Sequence, residues 1–358
     1  MNIAIRADGS PFIGMGHVMR CLSLAAALRQ SGHDVEFFSR FEPGLSRIRE
    51  QGFAVRQVAG GLPDGAGKEY EPAQDTDAVC KLLAGGCYDG LVTDSYRLDA
   101  DYFRQVRRLV KASFYIDDLN RFPVTVDAVI NGNINAGELG YEPGPETIQR
   151  WRGGRNNLLR PEFAALPQRD TPRKVENILI VAGGGDAGPL LVFLAESLLK
   201  LAQTEQFTLQ LVAPATSVAD VELATLAQDY PAQIQIQRQV TAMAQLMQRC
   251  DLAISAGGST LYELCAAGVP RLAVVLASNQ QGIVDAMVRQ GVALSLGTAV
   301  ELTASGIAVA VGRLAQDWSE RDRMAQQGRK LVDGQGAWRV ARKMEEVVAA
   351  AEGGKASE

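Results

Sequence analysis

His17 is one of only two histidines in 358 residues, and its surroundings suit proton chemistry. It closes a glycine-bearing loop, Arg6-Ala7-Asp8-Gly9-Ser10-Pro11-Phe12-Ile13-Gly14-Met15-Gly16, at the point where an apolar helix begins. Gly14 and Gly16 let the atoms of another molecule approach the backbone closely. A helix start offers free N–H groups and partial positive charge, which favours an uncharged imidazole. Such an imidazole is a general base; the alternative is a structural cap satisfied by backbone. A second constellation is Ser255-Ala256-Gly257-Gly258-Ser259-Thr260-Leu261-Tyr262-Glu263. Glycines at a strand end, followed by a helix start, present N–H groups to an anion such as phosphate. Ser259 and Thr260 would donate to phosphate oxygens or cap the helix. Glu263, about one turn further on, either accepts from two vicinal hydroxyls, as a ribose presents them, or is a capping-box acid paired with Thr260. Gly183-Gly184-Gly185 is a third glycine run at a strand end.

These residues require strand-to-helix loops at the carboxyl edge of parallel sheets, where open α/β folds bind ligands. The apolar runs supply them. Strands are expected at 2–6, 34–39, 53–58, 90–94, 113–117 and 128–130, with helices near 17–31, 43–51, 75–86 and 99–110. Residues 60–74 read as a surface loop and 131–157, rich in Asn and Gly, as irregular. The pattern restarts after Arg169-Asp170-Thr171-Pro172-Arg173. Strands follow at 177–181, 207–212, 233–237, 252–255 and 271–276, with helices at 188–204 and 261–267, the latter closed by Gly268. Thr241 is an N-cap candidate for a helix carrying Met243, Leu246 and Met247. Residues 319–351 read as mostly helical and the last few as frayed. The fold class is α/β, with two Rossmann-like halves facing each other across a cleft.

Several function classes are excluded. Gly14 stands eight residues beyond Arg6 and no third glycine completes a dinucleotide fingerprint. No Walker motif occurs. Net charge is −5, from 36 basic and 41 acidic residues, so no nucleic-acid surface is expected. The five cysteines, Cys21, Cys80, Cys87, Cys250 and Cys265, are scattered and read as small buried or half-buried residues, not as disulfides or zinc ligands. Asp117-Asp118 is the nearest approach to a metal cluster, but neighbouring strand-end side chains point to opposite sides, so one reads as structural and no metal is expected. His33 reads as structural. With no apolar stretch of about 18 residues and no leader before the first strand, a reducing cytoplasm is the expected setting.

The run from Arg6 through Gly14-Met15-Gly16-His17-Val18-Met19-Arg20-Cys21-Leu22 resembles the N-terminal signature of the UDP-2,4-diacetamido-2,4,6-trideoxy-β-L-altropyranose hydrolases of pseudaminic acid biosynthesis. So do Val92-Thr93-Asp94-Ser95-Tyr96, Ile116-Asp117-Asp118, Leu158-Leu159-Arg160-Pro161-Glu162-Phe163, and Ser255 to Pro270 followed by Asn279-Gln280. The resemblance covers roughly residues 1–300; its Ser255–Pro270 part is also similar to UDP-GlcNAc glycosyltransferases of the peptidoglycan type.

The resemblance implies a GT-B fold in which the C-terminal half binds UDP, His17 activates water, and no cofactor or metal takes part. It implies substrate contacts from Gly14, Gly16, Tyr96, Asn279 and Gln280. UDP contacts would come from Gly184, Gly257, Gly258, Ser259 and Thr260, with Val240 and Met243 near the uracil and Glu263 on the ribose. The partner is then a UDP-linked amino sugar. The expected domains are 1–170 with the His17 loop, 171–335 for UDP, and 336–358 as a C-terminal helix and tail. The sequence departs from the family in having Asn156-Asn157 where a tyrosine is usual and in lacking a threonine before Asp186. No motif is placed after residue 300. A glycosyltransferase, or a binding module without turnover, would use the same residues.

Overall fold

A computed structural model describes residues 1–10, 13–58, 72–141, 148–183 and 187–355. In chain order the elements are β1 (Asn2–Ala7), α1 (Gly16–Gln30), β2 (Asp34–Ser39), α2 (Glu42–Glu50), β3 (Ala54–Gln57), α3 (Pro72–Ala84), β4 (Gly90–Asp94), α4 (Ala100–Val106), β5 (Ala112–Ile116), β6 (Ala128–Asn131) and β7 (Gln149–Arg152). They continue with β8 (Asn177–Val181), α5 (Gly188–Glu205), β9 (Thr208–Ala213), α6 (Asp220–Asp229), β10 (Ile234–Arg238), α7 (Met243–Gln248), β11 (Leu252–Ala256), α8 (Thr260–Ala267), β12 (Arg271–Val275), α9 (Ser278–Arg289) and β13 (Leu294–Thr298). Three helices end the chain: α10 (Ala304–Gln316), α11 (Trp318–Leu331) and α12 (Gly336–Lys355).

The chain forms two compact units, Met1–Pro161 with Gln335–Glu358, and Glu162–Gly334. Every strand pair in both is parallel, with order β3-β2-β1-β4-β5-β6-β7 in the first and β10-β9-β8-β11-β12-β13 in the second. Parallel sheets are covered on both faces, so their strands are apolar throughout. β1 demonstrates this: Ile3 and Ile5 pack with α1, whereas Ala4 packs with Val79 of α3 and Tyr102 and Phe103 of α4. In the second unit, Ile178 and Ile180 pack on Leu191, Leu194 and Leu198 of α5. Among the described residues no helix is long and apolar enough to cross a membrane.

The order reverses at β1/β4 in the first sheet and at β8/β11 in the second. Loops leaving the two central strands diverge there, and the crevice between them is the ligand position of a doubly wound sheet. The loop before His17 leaves β1, and the Gly257 loop leaves β11.

The structure differs from the sequence expectation in several places. Gln149–Arg152, expected to be irregular, is the edge strand β7, pairing Ile130 with Trp151. One buried tryptophan, packed 5.8 Å from the ring of Phe114, anchors a strand too polar to produce a visible pattern. Residues 319–351 are mostly helical, as expected, and fall into two helices separated around Gly334, whose φ is +74°. Instead of forming a separate tail, α12 packs on α1: Ala337, Val340, Ala341, Met344 and Val348 form a stripe at helical spacing in the core of the first unit. The chain passes between units at Pro161/Glu162, not at 170/171. α7 begins after Ala242 without a side-chain cap, so Thr241 lies outside it; the left-handed turn at Gln239 (φ 50°) precedes it. Cys87 is exposed, while Cys21, Cys250 and Cys265 are buried.

Candidate active site

In the first unit the loop after β1 is held by buried charge. The Arg6 guanidinium donates to Asp8 at 2.6 Å and to Asp75 at 2.8 Å, and Arg40 donates to Asp75 at 3.0 Å. Asp8 also accepts from the Arg40 backbone N–H at 2.8 Å. Two cations and two anions removed from water must neutralise one another, which fixes the start of the loop. Gly14 bridges back to Ser10 with φ +76°, a conformation suited to glycine. A Cβ at Gly14 or Gly16 would meet nothing within 4 Å, so both border open space.

α1 starts at Gly16, so His17 lies in its first turn. Its Nδ1 is 2.6 Å from Asp94 Oδ1, at the carboxyl end of β4. Its ring meets Tyr96 edge-on, with centroids 4.5 Å apart. Arg20 lies one turn along the same helix face. Its Nε and Nη2 grip both Asp94 oxygens at 2.6 and 2.7 Å, and its Nη1 donates to Asp118 Oδ2 at 2.6 Å. Tyr96 donates its hydroxyl to the same Asp118 oxygen at 2.6 Å, and Asn133 donates to Asp118 Oδ1 at 2.9 Å. Burial alone would push the Asp94 carboxyl up, but the Arg20 charge and the hydrogen bonds from Arg20 and His17 hold it well below the usual carboxylate range. Burial and the Asp118 charge push the Tyr96 phenol far up, so it remains a hydrogen-bond donor. The adjacent Asp117 turns away and accepts from the N–H groups of Leu119 and Asn120, a structural turn. His33 bonds Glu345 of α12 at 2.7 Å.

His17 and Tyr96 therefore lie side by side. Arg20, Asp94 and Asp118, which complete the cluster, had no role assigned from sequence. The three-residue step from His17 to Arg20 was the one local signal; Asp94 and Asp118 are far away along the chain.

In the second unit, Gly257 to Thr260 leave β11 and open α8, with Ser259 as N-cap lacking a side-chain cap bond. Among the described residues the N–H groups of Gly258, Ser259 and Thr260 have no acceptor. A free N-terminal turn of this kind attracts an anion. A Cβ at Gly183, on the loop after β8, would lie 3.7 Å from Thr260 Oγ1, so the two glycine loops adjoin. Gly184 lies outside the described residues. A Cβ at Gly257 would stand 2.7 Å from Val284 and 3.0 Å from Gln280 Cβ, so glycine here lets α9 pack on the loop. Gln280 also accepts from the Leu276 N–H at 2.9 Å, while Asn279 is exposed in the first turn of α9. Val240 and Met243 are half-buried where β10 leads into α7, and α7 packs on α8. Glu263 is half-buried in α8. Because α8 starts at Thr260, Glu263 occupies the fourth helical position, and the capping-box alternative with Thr260 does not apply.

The fold is GT-B. It matches the crystal structure of Acinetobacter baumannii MurG with TM-score 0.69, over 96% of this chain and 99% of that one, at 17% identity. It also matches UDP-GlcNAc 2-epimerase from Neisseria meningitidis bound to UDP-GlcNAc, with TM-score 0.66 over 97% and 100% of the chains, at 11% identity. Residues 178–330, within the second unit, match the glycosyltransferase family 28 C-terminal domain. The chain is 26% identical to the spore coat polysaccharide biosynthesis protein SpsG of Bacillus subtilis, over 95% of this chain and 96% of that protein. An uncharacterized protein of Methanocaldococcus jannaschii is 28% identical over 78% of this chain. The pseudaminic acid cytidylyltransferase and UDP-2,4-diacetamido-2,4,6-trideoxy-β-L-altropyranose hydrolase of Helicobacter pylori is 23% identical, also over 78%. The chain spans about half the length of these last two, 56% and 45%.

Proposed function

We propose that the protein hydrolyses the anomeric C–O bond of a UDP-linked diacetamido-trideoxyhexose, releasing UDP and the free sugar with inversion, in nonulosonic acid biosynthesis. The observation that carries this reading is the His17 imidazole. It lies at the switch point of the first unit between Asp94 and Tyr96, with its side chain 12% exposed. An oriented, partly open imidazole is equipped to take a proton from water. The matched Helicobacter protein, whose name includes this hydrolysis, supports the substrate class.

In this reading the second unit binds UDP. The N–H groups of Gly258, Ser259 and Thr260, with Gly184 and Gly257, receive the pyrophosphate as it gains charge on departure. Glu263 accepts from the ribose hydroxyls, and Val240 and Met243 border the uracil. Gly14, Gly16, Tyr96, Asn279 and Gln280 contact the sugar side. Attack at the sugar carbon leaves phosphorus untouched, so the reaction needs no metal to neutralise a transferring phosphoryl group.

The family 28 match favours a second reading, transfer of the sugar to a hydroxyl acceptor. A UDP-sugar panel incubated in ¹⁸O-water with EDTA separates the two. Hydrolysis releases sugar labelled at C1 and unlabelled UDP without any acceptor. A transferase leaves the UDP-sugar intact until an acceptor is added. Label in the nucleotide, or activity abolished by chelation, overturns the mechanism.

A further inference from the structure

We propose that Asp94 is the positioning residue of His17, selecting the imidazole tautomer with its proton on Nδ1 and leaving the Nε2 lone pair as the base. The inference rests on the reading of His17 as the group that activates water. A neutral imidazole carries its proton on either nitrogen, and the bond made by one nitrogen decides the state of the other. Here Nδ1 faces Asp94 Oδ1 at 2.6 Å. An ionised carboxylate only accepts, so an unprotonated Nδ1 would set one lone pair against another at that distance.

Arg20 is also near, with Nη2 3.3 Å from Nδ1, and in principle could donate to the alternative tautomer. Its Nη2 is committed to Asp94 Oδ1 at 2.7 Å and its Nε to Oδ2 at 2.6 Å. The guanidinium therefore keeps Asp94 ionised and in place and leaves Nδ1–H as the donor to it. Through Asp118, Arg20 also fixes Tyr96, whose ring edge limits rotation of the imidazole. Among the described residues nothing bonds Nε2.

A water O–H proton passes to Nε2, and the water oxygen bonds to the anomeric carbon. The bond from that carbon to the phosphate oxygen breaks, and its electron pair leaves with UDP. The imidazolium formed is opposite Asp94 and returns its proton to solvent.

Asp94→Asn tests the assignment. Either amide orientation sets an NH2 against an Arg20 N–H. Placing it at the Oδ1 position lets His17 respond by accepting at Nδ1 and moving its proton to Nε2. Long-range ¹H–¹⁵N correlation spectra resolve tautomers directly, and a chain with two histidines gives few signals to assign. The unsubstituted protein is expected to show His17 as the Nδ1–H tautomer, and Asp94→Asn as Nε2–H. Turnover should fall on the order of 10²–10⁴-fold, the range for losing a correctly oriented base, with KM nearly unchanged. A purely structural role for Asp94 would move stability without switching the tautomer. Finding Nε2–H in the unsubstituted protein, or Nδ1–H with undiminished turnover in the variant, overturns the proposal. If Asp94→Asn does not fold, the spectrum of the unsubstituted protein decides alone. A tautomer that switches in a protein inactive toward every UDP-sugar upholds the positioning and removes the hydrolase reading.

Discussion

Arg20→Met removes one cation from between two carboxylates while keeping much of the side-chain stem, and its cost follows from what remains. Asp94 is fully buried, and without Arg20 it keeps the His17 ring and the Cys21 thiol at 3.6 Å. Asp118 is 12% exposed and keeps Tyr96, Asn133 and access to water, so its loss is smaller. Breaking a buried pair by removing one partner costs about 3–5 kcal/mol, because the other charge stays buried. Partial exposure of Arg20 places this case near the lower end, about 3 kcal/mol. With a urea slope of about 1–3 kcal/mol per molar, the unfolding midpoint of the first unit should drop by roughly 1–3 M. Trp151 and Trp338 report that unit, while Trp318 reports the second, whose transition should stay in place. Adding Asp94→Asn removes the stranded charge, so the double variant should be less destabilised than the sum of the two, by about 2 kcal/mol. The pH dependence has a definite sign. Asp94 is held below the ordinary carboxylate range when folded, so its contribution is complete above the unfolded value of about 4. It is lost only as pH falls from there through the folded value. The stability that Asp94 contributes to the unsubstituted protein should therefore be full at pH 7 and shrink only below about pH 4. Additive losses, or a variant as stable as its parent, would refute the account of the Arg20–Asp94 pair.

Two further outcomes test the proposed division of labour. His17→Leu should lower turnover roughly 10²–10⁴-fold, the usual contribution of a general base, with UDP affinity by calorimetry nearly unchanged; near-normal turnover would exclude His17 as the base. Glu263→Ala should weaken UDP binding by about 1.5–3 kcal/mol, the scale for hydrogen bonds to a charged group, and should affect an analogue lacking the ribose hydroxyls far less. Equal losses for both ligands would leave Glu263 a structural residue of α8.

The central strands were legible because a strand buried on both faces must be apolar throughout. Asn2-Ile3-Ala4-Ile5, Asn177-Ile178-Leu179-Ile180-Val181 and Leu252-Ala253-Ile254-Ser255 carry that signal in a few consecutive residues. The loops that follow β1, β8 and β11 were legible for a related reason, since glycine runs between a strand and a helix have few other uses. Edge strand β7 was not legible: half of its environment is solvent, and one tryptophan is its whole apolar content. The home of α12 was not legible either. Its stripe predicts a helix with one buried face, but nothing local says that the face belongs to α1, more than 300 residues earlier in the chain.

The same distinction separates His17 from its partners. Its place at a glycine loop and helix start is a property of adjacent residues, and sequence alone determined it. Its pairing with Asp94 and Arg20's bridge to Asp118 span 77 and 98 residues. They exist because β1, β4 and β5 are neighbours in one parallel sheet and end at the same edge. Strand order depends on which crossovers cover which face, a choice made by packing across the whole unit, so tertiary structure alone decided which carboxylates the histidine would meet.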